Sequence, residues 1–242
     1  FAIPVAQRIG AKDQTGLRKF VANSVWLSIV FAVIMTIATC ILCRQIMTWM
    51  RTPADIFEDA NTYIFIIFIG IPATYLYNLV SGIIRSLGDS RSPLFFLIVS
   101  SVLNIGLDFL FILTFHMGVA GAAWATVISQ AVSGIGCLFY MKHKFEILKI
   151  RPEEWKMDTK YMKILCGMGI PMGLQYSITA IGSVILQTAV NTLGSSAVAA
   201  ITAGSKVSMF FCCPYDAMGS TMATYAGQNV GAGKLDRVKK GM

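Results

Sequence analysis

The chain has 242 residues, of which 55% are hydrophobic and only 13% charged, with a mean hydropathy of +0.66. A soluble domain of this length needs far more charged surface, so a water-soluble globular protein is excluded. The formal net charge of +8 does not mark a nucleic-acid binder either, because the basic residues sit in gaps between apolar runs and not along one aromatic-studded face.

Those apolar runs are about 20 residues or longer, enough to cross a ~30 Å hydrocarbon core. In chain order they predict an all-α, polytopic membrane helix bundle with six spans. The spans cover roughly Phe20 to Cys43, Asn61 to Ser86, Pro93 to His116, Gly118 to Met141, Tyr161 to Gly194, and Ser195 to Val230. The start at Phe1, beside a loop-like basic turn, suggests that another span precedes it. One sizeable polar connection, residues 142–160, separates the fourth span from the fifth and marks a boundary between two halves.

Alternate gaps differ sharply in charge. Arg8, Lys12, Arg18, Lys19, Arg85, Arg91, the cluster from Lys142 to Lys163, and Lys234, Arg237, Lys239 and Lys240 fall on one side; only Arg44 and Arg51 fall on the other. Positive charge collects in cytoplasmic loops, so both ends of the chain are expected to face the cytoplasm, with the protein in the inner (plasma) membrane and the lipid bilayer as its first partner. The six cysteines lie in or beside apolar segments as small hydrophobes. Cys40 and Cys43 have CxxC spacing, but a single pair is weak evidence for metal or redox chemistry.

An internal echo ties the two ends together. Gln7-Arg-Ile-Gly10-Ala11 matches Gln228-Asn-Val-Gly231-Ala232, and Arg18-Lys19 and Lys239-Lys240 follow at the same offset. A helix leaving the membrane at a glycine would explain either copy alone. Two copies on the same side, with the same basic sequel, point to repeated halves, as in many secondary transporters.

These residues carry a resemblance. The stretch from Gln228 to Gly241 resembles the signature that closes the eighth helix of multidrug and toxic compound extrusion (MATE) transporters, and Gln7 to Asp13 its counterpart closing the second. Gly82 to Pro93 resembles the fourth-to-fifth helix turn, Leu103-Asn104-Ile-Gly-Leu-Asp108 the fifth helix, and Gly118 to Ala123 the start of the sixth. The resemblance implies that the six spans are the third to eighth of a twelve-helix, two-lobe protein. Residues 1–141 would then belong to the first lobe, 142–160 to the interlobe loop and 161–242 to the second lobe, with the missing helices of the same polypeptide as partners.

Polar groups inside a bilayer need a reason. Asn104 and Asp108 lie one turn apart on one helix face and read either as a cation or proton site or as an interhelical packing bond. Lys206, about twelve residues from a span end, is too deep to snorkel and reads as cavity-facing. Asp216 follows Pro214, which is expected to kink its helix. Gln175, Thr179, Ser183, Gln187 and Asn191 recur every four residues as a slowly winding stripe, suited to a wet lumen or to interhelical hydrogen bonds. Gly169-Ile-Pro171 is expected to break that helix near its cytoplasmic end.

No P-loop, His-Glu-x-x-His or Gly-x-Ser-x-Gly motif occurs, and His116 and His143 stand far apart at helix ends. The expectation is therefore not an enzyme. The resemblance implies a secondary exporter of cationic amphiphilic small molecules, needing no cofactor and coupled to H⁺ or Na⁺. The sodium-coupled members of the family carry a carboxylate on the helix that here holds Gln175 and Thr179; this chain has none there, which leaves the ion open. A lipid or lipid-linked oligosaccharide flippase and a non-transporting membrane scaffold are the alternatives.

Overall fold

The computed structural model describes residues 2–49, 52, 54–191 and 195–241; the side chains of residues 191 and 195–199 lie outside that set. The described residues form α1 (Ala2–Gly10), α2 (Gln14–Trp49), α3 (Phe57–Ile69), α4 (Ile71–Ser86), α5 (Arg91–Phe109), α6 (Gly118–Lys144), α7 (Thr159–Asn191), α8 (Ser195–Gly231) and α9 (Leu235–Gly241), with a π-helical turn at Leu110–Thr114 and a 3₁₀ turn at Glu146–Leu148. Among the described residues four single helices are long and apolar enough to cross a membrane, and α3 with α4, bent by 43°, makes a fifth where the pair is one broken span. At 37 residues, α8 has ample length to span. The chain divides into two units, one of Ile3–Lys12 with Thr159–Met242 and the other of Ala2 with Asp13–Asp158.

In the unit built on Asp13–Asp158, α6 is the central post, packed against α3, α4 and α5, while α2 packs on α3 and α4. The buried side of α6 is made of small residues, among them Gly121, Ala123, Ala125, Ser129, Ser133 and Gly134. Lipid offers no hydrophobic drive between helices, so close backbone approach and interhelical hydrogen bonds hold them together. Ser133 Oγ donates to the Phe96 carbonyl at 2.9 Å and Ser100 Oγ to the Ser129 carbonyl at 3.0 Å, joining α5 to α6. A Cβ on Gly134 would lie 3.2 Å from the Tyr77 backbone nitrogen. Gly134→Val should therefore push α4 off α6 and cost about 1–3 kcal/mol, visible as a lower midpoint in detergent unfolding.

The sequence read α3 and α4 as one span. The bend falls at Gly70, where a Cβ would come within 2.5 Å of Val127 Cγ2 on α6, and Pro72 in the first turn of α4 starts the new segment without needing an N–H partner. At Pro171 the opposite happens: α7 runs unbroken through it from Thr159 to Asn191. The expected break is corrected, because one missing N–H inside a long apolar helix is a local loss that the flanking turns absorb. Likewise α8 runs through Pro214.

The connection after α6, which reads as a solvated polar loop, lies docked along α2. Arg18 Nε is 2.8 Å from Glu154 Oε2, Trp26 Nε1 donates to the Trp155 carbonyl at 2.9 Å, and the Asp158 N–H donates to Asn23 Oδ1 at 2.9 Å. The two indoles meet with centroids 5.9 Å apart. Burial alone would raise the Glu154 carboxyl, but the Arg151 backbone N–H and the Arg18 guanidinium hold it below the usual carboxylate range.

The start of α5 is fixed in a similar way. Asp89 Oδ1 accepts from the Ser92 N–H at 3.0 Å, while Oδ2 accepts from Ser92 Oγ, Tyr140 Oη and Lys144 Nζ at 2.7, 3.0 and 2.9 Å. Burial works against this carboxylate, yet these donors, Lys144 foremost, keep it far below its ordinary value.

In the other unit, α1 crosses the end of α8 at the repeated motif. A Cβ on Gly10 would sit 1.9 Å from the Gln228 carbonyl oxygen, and one on Gly231 would sit 1.9 Å from the Gln7 carbonyl oxygen. The backbones repeat as well: Ala11 N–H donates to Gln7 O and Ala232 N–H to Gln228 O, both at 3.0 Å. The next residues, Lys12 and Gly233, both take positive φ, 56° and 70°. Beyond it α9 folds back on α8, with Tyr225 Oη donating to the Arg237 carbonyl at 3.0 Å.

Candidate functional site

The site with chemistry built into it lies where α5 meets α6. Asn104 and Asp108 stand one turn apart on α5, as their spacing requires. Asn104 Nδ2 reaches Thr126 Oγ1 on α6 at 3.5 Å, and that hydroxyl in turn donates to the Ala122 carbonyl at 3.0 Å. Asp108 Oδ1 is buried and has no hydrogen-bond partner among the described residues. Around Asp108 runs an open groove of about 340 Å³ lined by Ile105, Phe109, Ile112 and Leu113. An unmet carboxylate oxygen on an apolar wall is costly, and a bound proton or a hard cation relieves that cost. The amide and hydroxyl oxygens of Asn104 and Thr126 are the kind of donors such a cation takes.

The π-helical turn begins two residues after Asp108, with the Phe115 N–H reaching back five residues to the Leu110 carbonyl at 3.1 Å. Such turns insert one extra residue and are common at functional sites. Here the turn lies against α6 at Gly121, where a Cβ would come within 2.9 Å of Phe111 Cβ.

Thr126 was not picked out by sequence reasoning. A lone threonine in a Gly- and Ala-rich helix reads as packing, and only the pairing of α5 with α6 brings it to Asn104.

The other candidates lie on α7 and α8 in the second unit. Gln175, Thr179, Ser183 and Gln187 are all exposed on α7, and Asn191 ends that helix with its side chain outside the described set. Thr179 Oγ1 donates to the Gln175 carbonyl and Ser183 Oγ to the Thr179 carbonyl, each at 3.0 Å. The hydroxyls are thus satisfied within their own helix, which leaves the stripe open to one side. Lys206 and Asp216 are exposed on α8 and form no ion pair among the described residues. Gln7, Gly10, Ala11, Gln228, Gly231 and Ala232 come together at the α1–α8 crossing, which their reading as helix exits did not foresee. Among the described residues no cluster of three His, Cys, Asp or Glu could hold a metal ion.

Comparison with known proteins fits this architecture. The family model described as MatE matches residues 1–110 and 171–242. The chain is 34% identical over 236 residues to the "Probable multidrug resistance protein YpnP" of Bacillus subtilis, covering 97% of this chain and 52% of that protein. It is 27% identical to the "Probable multidrug resistance protein NorM" of Thermotoga maritima, covering 98% and 52%. The chain thus spans about half the length of the curated relatives it matches. Among solved structures it superposes with a TM-score of 0.92 on "Crystal structure of MATE in the bent conformation", at 24% identity over 99% of this chain and 54% of that one. It also superposes with a TM-score of 0.91, at 25% identity over 98% and 53%, on "Reverse polarity of binding pocket suggests different function of a MOP superfamily transporter from Pyrococcus furiosus Vc1 (DSM3638)". The chain is a multi-pass membrane protein and belongs to the MatE family.

Proposed function

We propose that this chain is part of a cation-coupled exporter of cationic amphiphilic small molecules, working by alternating access. The observation that carries the reading is the buried Oδ1 of Asp108, without a hydrogen-bond partner among the described residues, beside Asn104 and Thr126. In this reading that cluster takes up H⁺ or Na⁺. The polar residues of α7 and α8, namely Gln175, Thr179, Gln187, Asn191, Lys206 and Asp216, line the substrate path. Helices from the remainder of the polypeptide complete the lumen. The protein sits in the plasma membrane with both ends of this stretch cytoplasmic, and the driving free energy comes from the ion gradient without a cofactor. The multidrug names of the relatives support the substrate class.

The test is the full-length protein in proteoliposomes loaded with a cationic dye, with an H⁺ or Na⁺ gradient imposed. Dye movement that follows one gradient and stops when it is collapsed is the expected result. Movement of a lipid-linked oligosaccharide in place of the dye would overturn it in favour of a flippase, which would need a more basic cavity than Lys206 alone supplies.

A further inference from the structure

The connection after α6 meets α2 at a definite depth. Lys19 and Arg44 bracket α2, and the uncharged run between them, residues 20–43, is about 36 Å long at ~1.5 Å per residue. That exceeds a ~30 Å hydrocarbon core by about four residues. The run is apolar right up to Arg44, through Cys40, Ile41, Leu42 and Cys43, whereas Asn23 and Ser24 are polar, so the excess lies at the Lys19 end. Asn23 therefore falls at headgroup level and Trp26 at the hydrocarbon edge, where indoles collect. The connection holds α2 within this window: Glu154 pairs with Arg18, the Trp155 carbonyl accepts from Trp26, and the Asp158 N–H donates to Asn23. The 3₁₀ turn upstream packs on both α2 and α6 and buries Leu148. The segment is thus fixed along the headgroup layer.

Its exposed side chains suit that layer. Trp155 and Met157 remain 40% and 54% exposed, although the Trp155 ring already lies against Trp26. Lys156, between them, is exposed as well. The acids are largely spent: Glu154 is turned onto Arg18, and Glu146 pairs with Lys149 at 2.8 Å. Arg151 and Lys156 then stand exposed against one exposed acid, Glu153. Indole and thioether groups enter the boundary between headgroups and acyl chains, while cations beside them meet lipid phosphate.

We propose that residues 151–157 form a membrane-surface anchor that binds anionic phospholipid headgroups, in the cytoplasmic leaflet if the topology above holds. The anchor fixes the chain to the bilayer surface just before Thr159, where the other unit begins. The inference rests on the spans and not on transport, so it stands or falls apart from the exporter reading.

The experiment uses the full-length protein with its native cysteines replaced and a nitroxide spin label on Met157→Cys. The protein is placed in bilayers of phosphatidylcholine with or without a third of phosphatidylglycerol. In the anionic bilayer, collisions of the label with oxygen should exceed those with a water-soluble nickel reagent several-fold. That ratio should fall in phosphatidylcholine alone, and fall again when Arg151→Gln and Lys156→Gln are added. A ratio that favours the nickel reagent in both bilayers makes the segment an aqueous loop and overturns the anchor. A label shielded from both reagents overturns it too, because protein then covers the segment. A ratio indifferent to phosphatidylglycerol overturns the anionic preference.

Where the cysteine-free protein does not fold, the native protein and Trp155→Tyr are compared in bilayers brominated near the headgroups. The fluorescence that the substitution removes is expected to be quenched several-fold by bromine; unquenched emission from Trp155 overturns the proposal.

Discussion

Asp108→Asn should abolish gradient-driven export, by at least 10-fold in rate, while leaving the protein folded and able to bind dye. The substitution keeps the size and shape of the side chain, so the α5–α6 seam built on Ser100, Ser133 and the small residues of α6 is preserved. What it removes is the ability to carry charge. Among the described residues this buried carboxylate oxygen lacks a donor, and an ion or proton arriving there changes the local charge by one. An amide presents the same neutral face in every state, so the gradient has nothing to act on. If Asp108 serves only packing, the amide should be neutral or mildly stabilising, since it exchanges an unmet charge for a group that can donate. Export would then continue at the native rate, and the coupling role would be wrong. Thr126→Val, which deletes one oxygen from the cluster, should weaken coupling by a smaller factor.

The second large effect is on stability. Glu154→Ala should cost about 2 kcal/mol, because it leaves Arg18 partly buried with its main partner gone and frees the Arg151 N–H. The side chains of Arg18 and Glu154 are only 12% and 7% exposed, so solvent cannot easily replace the lost carboxylate. The pH dependence follows from the direction of the shift. The folded-state carboxyl lies below its unfolded value, so the contribution is complete above about pH 4.3 and drains away as pH falls toward the folded value. Thermal midpoints of wild type and variant should therefore differ by a constant amount from pH 5 to 8 and converge in stronger acid. A gap that is absent at pH 7 would mean the linker is not docked.

Most of the architecture was legible because a bilayer imposes coarse rules. Apolar run length gave the spans, and the repeated Gln-x-x-Gly-Ala pointed to two related helix ends, which the structure supports down to matching positive-φ residues at Lys12 and Gly233. What stayed hidden depended on which surfaces meet. Gly10 and Gly231 read as helix stops, since a glycine after an apolar run needs no partner to explain it. Glu154 and Trp155 sit in a charged stretch and read as solvated until α2 is brought beside them. Pro171 misled in the other direction, because a residue that breaks helices in water is accommodated in a long membrane helix. On the site, Asn104 and Asp108 announced themselves by spacing, whereas Thr126 needed the neighbouring helix.

The docked linker also has a consequence for biosynthesis. Arg18 is made 136 residues before Glu154, and Asn23 waits nearly as long for Asp158. At about 5–20 residues per second, Arg18 spends on the order of ten seconds at the membrane without its carboxylate. During that interval α2 is inserted but unlatched. A chain that stalls before Glu154 keeps that guanidinium without this carboxylate, so the latch on α2 closes only once the connection after α6 has been made.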